Sequence, residues 1–383
     1  MTRIEAGWLN APAPRAVMAA LAQGGHRALY VGGTVRDALF GLPPGDIDIA
    51  TDARPEAVMA LAKAAGLKPV PTGIDHGTVT IVAHHQAIEV TTFRRDVETD
   101  GRRAVVAFSD LVEEDAARRD FTMNALYATA EGEVIDPLGG LPDLAARRVR
   151  FVGDAGERIR EDYLRILRFF RFHAWYGDPG GGIDAEGLAA AAEHAAGIET
   201  LSKERVGAEL KKLLAAADPA QAVAAMAACG ALARALPGAD HRALAPLVDL
   251  AAGAGLAPDP LLRLAALGGA DAARALRLSR AEAKGLQALT DGAGSAAGAG
   301  ELGYRLGAKA GLSALVLRAA LSGGALPKGA AAEVARGAGA KFPVRPADLM
   351  PGLDGAALGR KLAELEKRWI ASDFTLTRAA LLR

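Results

Sequence analysis

Apolar and polar positions follow two different rhythms along this chain. In the first third, short runs alternate. Residues 27–31 (Arg-Ala-Leu-Tyr-Val) read as a strand, followed by Gly32-Gly33 and a short helix from Thr34 that Gly41 closes. Residues 42–45 are a turn, and residues 46–51 alternate with the period of a half-buried strand. Residues 54–66 predict a helix, with Pro55 near its start and Gly66 at its end. Residues 78–83 and 86–93 predict a hairpin turning at His84-His85, and 123–129 with 132–135 a second one around Glu131-Gly132. Between them, residues 94–104 are charged and contain a glycine, so they read as a mobile loop. After about residue 140 the rhythm changes. From Glu157 on, nearly every segment has helical periodicity, broken at 177–180, 218–219, 237–238 and 258–260. Residues 290–300 are rich in Gly and Ala and predict a loop. The pattern points to an α+β fold, an N-terminal head of mixed sheet and helices followed by a long helical body and tail.

Composition sharpens this picture in a few places. The chain has 383 residues, enough for two or three packed units, and 51% of them are hydrophobic. Heavy use of alanine favours helix. Lys+Arg and Asp+Glu stand at 45 each, so net charge gives no hint of a nucleic-acid partner, and any RNA contact must come from local basic patches. The single cysteine, Cys229, excludes an intrachain disulfide and a cysteine-built zinc site. There is no signal-peptide pattern and no apolar run of about 20 residues. The expectation is a cytoplasmic protein without a membrane partner.

Candidate chemistry begins at Gly32-Gly33-Thr34-Val35-Arg36-Asp37. Glycines between a strand and a helix let backbone N–H groups approach a phosphate, and the helix start adds partial positive charge. Arg36, one turn in, can pair with a phosphate oxygen. By itself such a turn is ordinary. Asp46-Ile47-Asp48 follows it, and a strand there puts both carboxylates on one face, about 6–7 Å apart along the chain. Two such anions repel unless a cation sits between them, and magnesium prefers carboxylate and phosphate oxygens. Alone, this pair reads as an exposed sheet face; with a phosphate turn upstream it reads as a catalytic metal site. Glu89, in Ile88-Glu89-Val90-Thr91, is either a third metal carboxylate or a polar residue on the exposed face. In Arg118-Arg119-Asp120-Phe121-Thr122-Met123-Asn124-Ala125 the arginines can grip a triphosphate, and Asp120 can accept a ribose hydroxyl proton. As an isolated run it reads as a surface salt bridge.

The third element is residues 161–172, where Asp162, Arg165, Arg168 and Arg171 recur every third residue on a predicted helix. Salt bridges along a buried helix are one reading, and a protein template for a nucleotide base is the other. Asp only accepts and Arg only donates. Cytosine and adenine present an amino donor beside a ring-nitrogen acceptor, whereas uracil and guanine present the reverse. An Asp162/Arg165 pair would therefore suit C and A, and each unpaired buried polar group left against U or G would cost about 1–3 kcal/mol.

Gly-Gly-x-Val-Arg-Asp, then Asp-x-Asp, then Arg-Arg-Asp-Phe-Thr-x-Asn-Ala, then Glu-Asp-x-x-Arg resembles the bacterial class II tRNA nucleotidyltransferases, which include the CCA-adding enzyme and the bacterial poly(A) polymerases. The resemblance is dense over residues 27–215 and looser to the end, where Phe342-Pro343, Asp348-Leu349 and Trp369-Ile370 are similar to the family's tail. It implies a polymerase-β-type head at 1–140, a helical neck with a nucleotide-selecting helix at 141–220, and a helical body and tail at 221–383 that bind tRNA. It implies two Mg²⁺ ions on Asp46 and Asp48, and nucleotide contacts from Gly33, Arg36, Arg119, Asp162, Arg165, Arg168 and Arg171. The implied reaction is template-independent addition of C, C and A to the tRNA 3′ end, from CTP and ATP, with recognition of the acceptor stem. A poly(A) polymerase, a CC-only or A-only adding enzyme, and an inactive RNA-binding relative are the alternatives. The segment 94–107 resembles the family's flexible loop, and Leu201–Leu210 its neck motif. That second stretch also reads as plain helix support, with Ser202 as cap and Arg205 paired to Glu209. Lys203, Lys211 and Lys212 are either tRNA-backbone contacts or solvated charge. No His-Asp phosphohydrolase signature follows, so no added phosphatase activity is expected.

Overall fold

The computed structural model describes residues 2–43, 45–100, 103–350 and 352–383, with the backbone alone at 96–100 and 103–106. The chain divides into two compact units, Met1–Ser202 with Ala225–Ala235, and Lys203–Ala224 with Leu236–Arg383. The first unit thus runs well past the boundary expected at residue 140.

Among the described residues the first unit holds nine strands: β1 Ala28–Val31, β2 Asp48–Thr51, β3 Lys68–Gly73, β4 Thr78–Ala83, β5 Gln86–Thr92, β6 Arg94–Asp100, β7 Arg103–Phe108, β8 Tyr127–Ala128 and β9 Val134–Ile135. Seven form one mixed sheet in the order β3-β4-β5-β2-β1-β8-β9. β2 and β5 run parallel, and the other pairs are antiparallel. Its helices are α1 Pro12–Gln23, α2 Gly33–Leu39, α3 Pro55–Ala64, α4 Val112–Ala117, α5 Leu141–Ala145, α6 Ala155–Glu161, α7 Leu164–Tyr176 and α8 Ala185–Glu193, with a short helix at Ala231–Ala235. Strand alternation sorts side chains between two faces. Tyr30 and Ile49 are fully buried on one of them. On the other, Leu29, Val31 and Ala50 join Phe93, Val112, Ala116, Tyr127 and Val152 in one apolar cluster. Asp48, at the start of β2, shares the parity of Ala50 and so belongs to that second face.

Several elements differ from the sequence expectation. β3 contains Pro69 and Pro71, which cannot donate to a ladder, and it lies at the sheet edge where that costs least. Residues 94–104, expected as a loop, contribute to a two-stranded antiparallel ribbon, in register from Arg94 with Phe108 to Asp100 with Arg103. Gly101 and Arg102, part of that expectation, lie outside the described residues. A two-stranded ribbon outside the main sheet can form on main-chain hydrogen bonds alone, so charge does not forbid it. The hairpin at His84-His85 is present, with both residues at positive φ (47° and 65°), as a tight two-residue turn requires.

The second unit is helical from Lys203 onward. The loop expected at 290–300 is mostly helix: one helix runs Arg280–Gly294, fixed at its start by a capping box of Ser279 and Glu282, and the next starts at Ala299. The small residues let helices touch closely. A Cβ at Gly303 would collide with the backbone of Val334, and one at Gly337 with that of Gly300. A separate cluster joins Val344, Leu365, Trp369 and Leu381, with Tyr304, Phe342 and Phe374 packed against it. Lys211, one of the lysines considered for tRNA, pairs with Glu282 at 2.7 Å.

Candidate active site

Gly32 has φ 65° and ψ −122°, a backbone conformation that glycine tolerates and side chains resist. A Cβ there would stand 3.1 Å from Arg119 Nη1, so the turn is kept open for backbone approach. Thr34, just inside α2, ties this turn to the acidic segment. Its buried hydroxyl accepts from the Asp48 N–H at 3.0 Å and donates to the Asp46 carbonyl at 3.2 Å. Sequence reasoning passed over Thr34; a hydroxyl immediately after a Gly-Gly pair was the available signal.

Asp46 sits in a bend just ahead of β2 rather than inside the strand. Ile47 and Ile49 are buried and Asp46 and Asp48 are not, so the two carboxylates share the outward-facing side of that segment. Asp48 lies in register with Glu89 of the parallel neighbour. Burial pushes the Asp48 carboxyl up to about 6, with Glu89 and Asp46 adding repulsion and Arg119 opposing it. A half-buried carboxylate held up by two neighbouring anions fits a divalent cation, whose charge would reverse that penalty. Among the described residues, no three His, Cys, Asp or Glu side chains form a group that could hold a metal by themselves. Glu89 therefore does not complete such a group with Asp46 and Asp48.

Arg119 is anchored by a carboxylate and a phenol that the sequence reading did not single out. Its Nη2 donates to Asp115 at 2.9 Å and its Nε to the Tyr127 hydroxyl at 3.1 Å, while Tyr127 donates to Asp115 at 2.7 Å. Burial works against the Asp115 charge, but Arg119, Arg118 and the Tyr127 hydrogen bond outweigh it and hold the carboxyl down at about 2. Asp115 four residues before Arg119 is the helical pair spacing that could have revealed it. So held, Arg119 turns its remaining nitrogen toward Gly32.

Asp120 faces protein groups on every side. Its Oδ1 accepts from the Phe121 N–H and from Asn124 Nδ2, both at 2.9 Å. Its Oδ2 accepts from Arg168 Nε at 2.8 Å and Nη2 at 2.5 Å. Burial opposes the charge, and Arg168 and Asn124 still hold its carboxyl down at about 2. The expectation that it takes a ribose proton therefore gives way to a clamp between the Arg-Arg-Asp motif and α7. Arg36 is similarly engaged. At 6% exposure it donates to Asn124 Oδ1 (2.6 Å), the Tyr176 hydroxyl (2.8 Å) and Asp37 Oδ1 (2.9 Å). These bonds hold the guanidinium among protein groups, with Nη2 beside Gly33.

The helix predicted across residues 161–172 breaks at Asp162, whose extended backbone ends α6 and whose carboxylate accepts from the Leu164 N–H at 3.1 Å. The Asp162-to-Arg165 step is therefore a turn between two helices. From Arg165 on the ladder holds. Arg165, Arg168 and Arg171 are half-buried, while Ile166, Leu167, Phe169, Phe170 and Phe172 fill the core. Arg165 bonds Glu161, which also pairs with Arg158, and reaches the carbonyls of Arg158 (2.9 Å) and Arg118 (3.3 Å). Arg171 lies over the Phe172 ring at 4.5 Å. The glycine turn, the aspartate pair, Arg119 and the arginine ladder are joined by direct contacts through Thr34, Arg119 and Asp120.

The Poly A polymerase head domain matches residues 28–150, and the probable RNA and SrmB-binding site of polymerase A matches residues 182–242. The human mitochondrial CCA tRNA nucleotidyltransferase 1 is 45% identical over 190 residues, 49% of this chain and 44% of that protein. The CCA-adding enzyme of Streptococcus pyogenes serotype M2 is 42% identical over 217 residues, 56% of this chain and 52% of that protein. The chain spans about half the length of these relatives. Among solved structures, the Thermotoga maritima CCA-adding enzyme complexed with tRNA shares the fold, at a TM-score of 0.72 and 18% identity over 99% of this chain and 95% of that one. The Bacillus stearothermophilus CCA-adding enzyme in complex with CTP superposes with a TM-score of 0.73 and 30% identity, covering 93% of this chain and 92% of that one. With that identity sustained over nearly the whole of both chains, this chain belongs to the family of CCA-adding enzymes.

Proposed function

We propose that the chain adds C, C and A to the 3′ end of tRNA, taking CTP and ATP as substrates and releasing pyrophosphate. The observation that carries this reading is the placement of Asp48. It is half-buried, crowded by Glu89 and Asp46, and tied through Thr34 to an open glycine turn. Asp46 and Asp48 would hold two magnesium ions, which supply charge neutralisation at the pyrophosphate and a lower pKa for the attacking hydroxyl. The 3′ hydroxyl oxygen forms a bond to the α-phosphorus, the bond to the β-phosphate bridging oxygen breaks, and the hydroxyl proton passes to solvent.

The protein's own share is binding and orientation. The amides around Gly32 and Gly33 receive the triphosphate, with Arg119 aimed at the same turn by Asp115 and Tyr127. Asp162 and Arg165 present an acceptor and a donor for the C and A edges, and Arg168 and Arg171 extend the cationic rim. The acceptor stem is read by shape and phosphates. Among the described residues no helix is long and apolar enough to cross a membrane; the proposed setting is the cytoplasm, where tRNA and nucleoside triphosphates meet.

The test is extension of tRNA lacking its CCA end with labelled CTP and ATP. A stop after the third nucleotide supports this reading. A long A tail identifies a poly(A) polymerase instead, a stop after C-C or growth by A alone a partial adding enzyme, and no extension a non-catalytic relative.

A further inference from the structure

We propose that Tyr176 is a positioning residue for the incoming nucleotide, acting through Arg36 without touching substrate. The inference rests on the reading above, in which a nucleotide triphosphate occupies the glycine turn. Tyr176 closes α7, at the opposite end of that helix from Asp162 and Arg165. Its hydroxyl accepts from Arg36 Nη2 at 2.8 Å, and its ring lies 4.0 Å below the guanidinium carbon. Phe40 stacks with the Tyr176 ring at 5.8 Å and 12°, and Arg147 lies over Phe40 at 5.4 Å. Phe172, one turn earlier in α7, gives the same guanidinium a second aromatic neighbour at 5.1 Å.

The ring and the hydroxyl do different things. Aromatic faces hold the guanidinium in place but leave it free to turn in its own plane. That rotation is fixed by three groups together: Asn124 on Nη1, Asp37 on Nε and Nη2, and the Tyr176 hydroxyl on Nη2. The same Nη2 lies 3.5 Å from where a Cβ on Gly33 would stand, so it borders the turn that the triphosphate would enter. Asp37 completes the arrangement, bonded to Arg36 Nε and interacting with the Tyr176 hydroxyl. The end of the base-selecting helix thus shares with Asp37 and Asn124 in orienting one nitrogen beside the phosphate turn. Burial raises the Tyr176 pKa, so the hydroxyl stays protonated and the link holds across neutral pH.

Tyr176→Phe keeps the ring stack and removes the hydroxyl. The expected result is CTP affinity weakened about fivefold to tenfold by calorimetry in magnesium buffer, with KM raised in parallel and kcat within about twofold. A merely structural hydroxyl would lower the melting temperature without that split. In an Arg36→Ala background the same change should cost no further CTP affinity, since the two residues act as a unit. CTP affinity within about twofold of the parent for Tyr176→Phe overturns the proposal, as does an undiminished effect in the Arg36→Ala background. If the unsubstituted protein neither binds CTP nor extends trimmed tRNA, the functional reading itself has failed and the inference falls with it.

Discussion

Asp48 is placed where burial and two neighbouring carboxylates all oppose its charge. Its folded-state pKa of about 6 lies above the ordinary 3.8, so the metal-free protein loses stability as pH rises between those values. Asp48→Asn should therefore raise the melting temperature in chelator at pH 8, with the gain vanishing below about pH 4. An unchanged or lowered melting point at pH 8 would mean the site carries no stored repulsion. Asp120 has the opposite sign. Its carboxyl is held at about 2, so its contribution is present in full above the ordinary 3.8 and lost as pH falls through about 2. Asp120→Asn should cost about 2 kcal/mol at pH 7, and the difference from the parent should shrink across acid denaturation between about pH 4 and pH 2. A cost that persists unchanged at pH 2 would assign the effect to packing instead.

At the level of elements, the start of the selecting helix is where sequence periodicity and structure part. Spacing by threes suggested one helix through Asp162, but that residue ends α6, and Arg165 is the second residue of α7. The templating idea needs their donor and acceptor character, not a continuous helix. Arg165→Ala should relax the preference for C and A over U and G by roughly tenfold to a hundredfold, read as misincorporation on trimmed tRNA. Unchanged misincorporation would contradict the templating role. The sequence carried the glycine turn, the aspartate pair and the ladder because each is a local pattern of residue types. It did not carry Thr34, Asp115, Asn124 or Tyr176 as partners. Thr34 and Asp115 left local signals, but Asn124 and Tyr176 meet Arg36 across 88 and 140 positions, and a single sequence holds no record of such meetings. The ribbon at 94–108 was hidden for a different reason, since charged side chains mask a strand whose main chain satisfies itself.

For the molecule as a whole, the helices through α8 belong to the same compact unit as the sheet, which runs to Ser202. Asp120 and Arg168 join motifs 48 residues apart, and the aromatic contacts of Phe121 and Phe151 with Phe169 extend that seam through the core. The second unit combines close helix contacts at Gly303 and Gly337 with an aromatic cluster around Trp369. The central claim spans both scales: a cation-binding aspartate pair, served by a phosphate turn, drives nucleotide addition to tRNA. Its most direct test compares the parent with Asp46→Ala and Asp48→Ala on tRNA lacking CCA, given CTP, ATP and magnesium. The account predicts a three-nucleotide extension by the parent and a loss of at least about a thousandfold in either variant, with both folded by circular dichroism. Near-parental extension by either variant would contradict it.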